Sequence, residues 1–122
     1  MCEKLKAQGT VPIVIGDVES WLVGHYFEDI LAGVLGAEKY KGLWTGATPW
    51  TDSLVTKALN ILKKMYTYAN TDHSALTDAN GAGNYLIANK GAMFIMGDWM
   101  EGWFRVKGYT DYGWAPVPGT KG

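Results

Sequence analysis

The stretch Gly91 to Trp103, GAMFIMGDWMEGW, limits what this chain can fold into more than any other. Ala92 to Met96 form an unbroken run of small and apolar side chains bounded by glycines. That is the pattern of a short strand buried on both faces, as in a mostly parallel sheet. Gly97 ends the run, and Asp98 stands where the N-cap of a helix through Met100, Gly102 and Phe104 belongs. Strand, glycine turn and helix set Asp98 and Trp99 at the carboxyl end of a strand, where ligands bind in open α/β sheets. A carboxylate that accepts hydroxyls beside a flat aromatic face is the pairing a sugar ring needs. The same two residues also fit a plain helix cap and a core or interface aromatic, and this stretch alone leaves both readings open.

The remaining chain repeats the theme. Cys2 to Gln8 reads as the end of a helix stopped by Gly9. Val11 to Ile15 (VPIVI) is a second fully apolar strand, with Pro12 near its start. Trp21, Leu22, Phe27, Ile30, Leu31, Val34 and Leu35 recur at helical spacing from about Glu19 to Leu35, and Gly36 ends that helix. A short helix is expected from Glu38 to Leu43, closing in Trp44-Thr45-Gly46. Pro49 to Asp52 leads to an N-cap, and Leu54, Val55, Ala58, Ile61, Leu62, Met65 and Tyr66 then make one apolar stripe, with Lys57, Asn60, Lys63 and Lys64 facing water. Tyr68 to Ser74 is a polar loop. Thr77 is expected to cap a helix reaching Asn89, weakened by Gly81 and Gly83. Asp111 to Ala115 reads as a third strand ended by Pro116. Short strands alternating with helices predict an α/β architecture with parallel pairing, in one domain over residues 1–122.

Composition narrows the function. The six tryptophans and seven tyrosines among 122 residues suggest a surface for ring-shaped ligands or a large protein interface. A net charge of −1 with scattered basic residues gives no footprint for nucleic acid. No apolar run approaches the roughly 18 residues of a membrane span. The single cysteine, Cys2, rules out an internal disulfide and has no metal-site companions. There is no export signal after Met1. Both ends read as cut, one inside a helix and one in an unfinished loop, so a fragment is expected.

Trp21, Trp44 and Trp99 each lie just past an element that can end on one sheet edge, so the three indoles are expected to line one cleft with Asp98. His25, one turn beyond Trp21, is a further candidate for that cleft. His73 is most simply a polar loop residue, and two histidines in unrelated segments do not make a zinc site. Asp98 and Glu101 share one helix, whereas glycoside hydrolysis needs carboxyls on opposite sides of the bond, at least about 5 Å apart. The GAGN of Gly81 to Asn84 sits within a helical pattern and is a weak phosphate candidate.

These residues, in this order, match a known series. GAMFIMGDW, preceded by Leu86-Ile87 and followed by Tyr112-Gly113-Trp114-Ala115-Pro116-Val117-Pro118-Gly119-Thr120, closely resembles the extracellular solute-binding proteins of sugar ABC transporters, of the glucose and mannose type. CEKLKAQGTVPI, Trp21 with Phe27-Glu28, Tyr40 to Gly46 and Trp50-Thr51-Asp52 continue the likeness over nearly the whole chain. The resemblance implies an incomplete C-terminal lobe of a type II periplasmic binding protein fold, lacking the other lobe and the hinge. It implies that Asp98 accepts hydrogen bonds from sugar hydroxyls, that Trp44 is a platform for the ring, and that Trp99 or Trp21 forms a further wall.

The expected function is carbohydrate binding, of glucose or a related hexose, by a periplasmic or extracytoplasmic receptor that hands its ligand to a membrane permease. No catalytic residue, cofactor or metal is implied. The chain holds about half of such a site, so weak or undetectable binding is expected, together with self-association, by exchange of elements among other routes, through apolar surface left bare. Two other readings remain: a carbohydrate-active enzyme domain using Asp98, with turnover lost in Asp98→Asn, or a tryptophan-rich interaction module.

Overall fold

Both apolar runs form strands, and they pair with each other. The computed structural model describes residues 1–77 and 81–117. In it, β1 (Val11–Ile13) and β2 (Gly91–Met93) lie parallel, with Val11 opposite Gly91 and Ile13 opposite Met93. The two are separated by helices α1 (Cys2–Ala7), α2 (Ser20–Thr45), α3 (Ser53–Tyr66) and α4 (Gly83–Ile87) in chain order, with α1 ahead of β1; α5 (Trp99–Val106) follows β2. The class is therefore mixed α/β with a short parallel sheet, as the alternation of strands and helices predicts.

Both strands are shorter than their apolar runs. Past Ile13 the Val14 N–H still reaches the Met93 carbonyl at 2.8 Å, but the Ile15 N–H is taken by the Asn70 side chain, also at 2.8 Å. A ladder cannot continue where a side chain has claimed its donor. The loop after α3 supplies this partner. It runs beside β1, where Ala69 bridges Ile13 in parallel fashion, and buries Asn70. The polar composition of Tyr68 to Ser74 conceals that role.

The expectation that β2 is buried on both faces is overturned. Ala92 is exposed, and Phe94, Ile95 and Met96 are half-buried. One side of this segment packs on Ile15, Leu22 and Tyr26, with Leu62, Met65 and Tyr66 of α3. Tyr26 ties the two strand ends together. Its hydroxyl donates to the Val14 carbonyl at 2.7 Å and accepts from the Ile95 N–H at 3.3 Å. Burial drives this phenol far above its usual pKa, so it stays a neutral donor.

α2 is broken at Gly36, whose φ of 74° and ψ of 165° belong to glycine alone. The chain turns there, and its second part brings Leu43 back onto Leu31, Leu35, Val55 and Ala58 in a second apolar cluster. α3 connects the clusters: its start packs in this one, and its end packs beside the sheet. Fourteen residues make α3 about 21 Å long. Its N-terminus is capped by Asp52, which accepts the Leu54 N–H at 2.8 Å.

Two further expectations are corrected. Residues 111–115 form no strand, and among the described residues none pairs with them: most are exposed, and Tyr112 instead packs on Phe104 and Tyr109. The helix expected from Thr77 to Asn89 is regular only over Gly83–Ile87. Ahead of it the Ala82 N–H reaches the Thr77 carbonyl in a wider turn, and residues 78–80 lie outside the described residues.

Candidate functional site

The carboxyl ends of both strands run into short turns that carry acids, Asp17 after β1 and Asp98 after β2. Asp98 occupies the N-cap position of α5, but its backbone is helical (φ −61°, ψ −20°) and its side chain makes no capping hydrogen bond. A capping side chain needs extended backbone to swing back onto the next turn. The expected cap is therefore absent, and the carboxylate stands exposed beside Trp99.

Trp99 owes its position to Gly97. The indole folds back so closely over this residue that a Cβ there would lie 2.0 Å from the ring. So placed, Trp99 meets two side chains from the first turns of α2. Its centroid lies 6.4 Å from that of Trp21 and 6.2 Å from that of His25, while Trp21 and His25 meet edge-to-face at 5.3 Å. Trp21 donates its Nε1–H to Glu19 at 3.1 Å, which sets the angle of the ring. Trp21 and Trp99 nevertheless remain 42% and 54% exposed. Aromatic faces and an imidazole thus meet at the sheet edge with the exposed Asp98 carboxylate next to Trp99 in the chain, an arrangement suited to stacking on C–H groups while accepting hydroxyl hydrogens.

Trp44 does not join them. It lies at the far end of α2 and meets Trp50 at 5.5 Å and Tyr40 at 6.2 Å, both edge-to-face. Leu43 beside it packs at the start of α3, whereas Leu22 beside Trp21 packs near its end. Three of the five expected residues, Trp21, His25 and Trp99, come together, and Asp98 is exposed next to Trp99 in the chain; Trp44 belongs to a separate aromatic group.

His73 is more than a loop residue. Its Nδ1 lies 2.8 Å from Asp17 Oδ2, which also accepts the Tyr66 hydroxyl at 3.0 Å. Burial first, and then this bond to Asp17, push the Tyr66 phenol up to about 12. Asp17 escaped the sequence reading, although it follows its strand as Asp98 follows the other, and that parallel is the signal that could have found it. Glu101, weighed as a partner for Asp98, pairs instead with Arg105 one turn along α5. Among the described residues no group of three His, Cys, Asp or Glu is placed to hold a metal ion, and no helix is long and apolar enough to cross a membrane.

No protein-family model matches the chain. It is 35% identical, over 121 residues and 97% of its length, to an uncharacterized ABC transporter extracellular-binding protein of Pyrococcus horikoshii. It spans only 27% of that relative. Among solved structures it superposes with a TM-score of 0.78 on the bacterial solute receptor AcbH, described as exclusively preferring β-D-galactopyranose. That match has 21% identity and covers 87% of this chain and 27% of the receptor. The fold of this chain is accordingly that of part of a solute-binding receptor.

Proposed function

We propose that the chain forms part of a lobe of an extracytoplasmic receptor that captures a hexopyranose, glucose or a close relative, and passes it to the membrane permease of an ABC transporter. The observation that carries this reading is the meeting of Trp21, His25 and Trp99 beside the exposed Asp98. The likeness to an ABC transporter binding protein supports the same class. The mechanism is binding without chemistry. Indole faces desolvate the C–H side of the sugar, and Asp98 accepts hydroxyls that are costly to bury unpaired.

An open half-site lacks the opposing wall that excludes water, so affinity is weak, and the cost of association consumes most of the contact energy. Titration with glucose and with galactose, followed by the indole N–H resonances, tests the reading. The expected result is small, saturable shifts at Trp21 and Trp99 that disappear in Asp98→Ala. Saturable shifts that leave Trp21 and Trp99 unmoved, or that persist unchanged in Asp98→Ala, overturn it. Turnover of a glycoside lost in Asp98→Asn favours the enzyme reading instead.

A further inference from the structure

The segment that follows α3 does more than return the chain to the sheet. Residues 68–77 meet the end of β1 and the turn beyond it almost residue by residue. The Ile13 N–H donates to the Tyr68 carbonyl at 3.3 Å, and the Asn70 side chain takes the Ile15 N–H at 2.8 Å. A Cβ on Gly16 would come within 2.9 Å of the Leu76 carbonyl oxygen and 2.5 Å of that of Thr77. The Asp17 N–H donates to the His73 carbonyl at 3.0 Å, and the Val18 N–H to the Leu76 carbonyl at 3.2 Å. Asp17 closes this seam with its side chain. Its Oδ2 accepts the Tyr66 hydroxyl at 3.0 Å and lies 2.8 Å from His73 Nδ1, which carries the proton because a carboxylate only accepts. The segment is fixed from its far side by Asp72, which accepts from Asn70 and from Tyr85 of α4, each at 2.8 Å.

What the seam holds is the entry to α2. The first N–H groups of a helix have no partner within it. Glu19 stands at the N-cap with extended backbone but makes no capping bond, and its carboxylate instead accepts the Trp21 Nε1–H. Leu22 and Tyr26, both fully buried, fix the axis of α2, yet they leave the turn ahead of them to be placed by the chain that enters it. Trp21 and the Glu19 that angles its ring both belong to that turn. We propose that Asp17 and His73 are positioning residues for the aromatic group at the sheet edge. The bond between them anchors the entry to α2 and so sets where Trp21 stands against Trp99 and His25. Its effect on hexose affinity rests on the hexose reading of that group; the placement of the ring does not.

Two histidine variants separate this role from plain stability. The amide nitrogen of asparagine falls near the place of Nδ1, so His73→Asn keeps a donor for Asp17, whereas His73→Leu removes it. Tyr85→Phe, which loosens the same segment at Asp72, is the stability control. The readout is the set of nuclear Overhauser contacts from Trp21 to Trp99 and His25 in the sugar-free protein, beside a thermal melt of each variant. In His73→Leu these contacts are expected to weaken and the Trp21 indole N–H to shift. His73→Asn should recover both, and Tyr85→Phe should lower the melting temperature without moving the ring. Unchanged contacts in His73→Leu overturn the proposal, as does a ring displaced equally in Tyr85→Phe, or a His73→Asn protein that behaves like His73→Leu. Should His73→Leu not fold, Tyr66→Phe removes the other donor to Asp17 and keeps its own ring, and unchanged contacts there overturn the proposal equally. A hexose titration then tests the dependent step, with binding about fivefold weaker in His73→Leu and recovered in His73→Asn. Saturable sugar shifts that bypass Trp21 and Trp99 sink the hexose reading and leave the placement of Trp21 standing.

Discussion

Trp21 and Trp99 meet with their ring centroids 6.4 Å apart and their planes tilted by 50°. Neither indole is buried, and each is held from beneath: Trp21 by Glu19, Trp99 by the bare backbone of Gly97. Removing either ring leaves the other without its neighbour. Trp99→Ala and Trp21→Ala are each expected to weaken hexose binding about five- to tenfold, in line with about 1 kcal/mol for an aromatic contact. The melting temperature should stay close to that of the parent, because both side chains are exposed. Isothermal calorimetry at high sugar concentration, beside a thermal melt, checks both halves of the statement.

Tyr26 carries a different kind of load. Tyr26→Phe keeps the ring but strips the hydroxyl from between the Val14 carbonyl and the Ile95 N–H. Leaving those backbone groups unpaired is expected to lower stability by about 1–3 kcal/mol. In urea unfolding the midpoint should fall with little change in slope.

Asn70 makes the corresponding test in the loop after α3. Its Oδ1 accepts the Ile15 N–H and its Nδ2 donates to Asp72, each at 2.8 Å. Asn70→Asp keeps the acceptor but sets a second carboxylate beside Asp72. It is expected to destabilise the chain at neutral pH and to recover part of the loss near pH 4, where one carboxyl takes up a proton. A series of urea midpoints across pH reads this directly.

Acid should loosen the parent chain by a related route. The Asp52 carboxyl is held below its usual range by Lys39 and then by the Leu54 N–H, and Asp72 by Asn70 and then Tyr85. A depressed native pKa means that the unfolded state binds the proton first. The stabilisation is thus complete above the ordinary value of 3.8 and drains away as pH falls through the lower native values. Asp72 is exposed and Asp52 pairs with an exposed lysine, so the effect is modest. Thermal melts between pH 6 and about pH 2.5 should show the loss only at the acid end, and Asp52→Asn should flatten it.

Gly42→Ala probes the contact between α2 and Thr48, ahead of Trp50. The added methyl would collide with the Thr48 side chain, and a loss of about 1–3 kcal/mol is expected. Pairing it with Thr48→Ala, which removes the closest atom and leaves the Thr48 Cβ at 3.1 Å, should restore part of that loss if the collision is its source. A double-mutant cycle in urea measures the coupling.

The features legible in the sequence were those with local causes. Gly36, Gly46 and Asp52 each mark an element end through backbone preference or a side chain reaching two residues along, and all three do so in the structure. The apolar stripe of α3 faces the interior because a 3.6-residue period leaves it little choice. What failed depended on distant partners. The segment from Asp111 to Ala115 has strand composition, yet a strand exists only beside another, and none is paired with it among the described residues. Asn70 looks like any loop asparagine until the Ile15 N–H arrives at its side chain. The grouping of Trp21 with Trp99 was readable because both follow strands of one sheet. The separation of Trp44 was not, since periodicity along α2 says nothing about its heading after Gly36.

That heading has a consequence of its own. Were α2 to continue straight, its last nine residues, 37–45, would jut about 14 Å beyond Leu35 into water. Leu43 would lose its place against Leu31, Leu35, Val55 and Ala58. A β-carbon at position 36, disfavoured by the φ of 74°, would pull the molecule toward that unpacked helical spur. One hydrogen in place of a side chain thereby decides whether the chain offers two aromatic faces to its surroundings or only one.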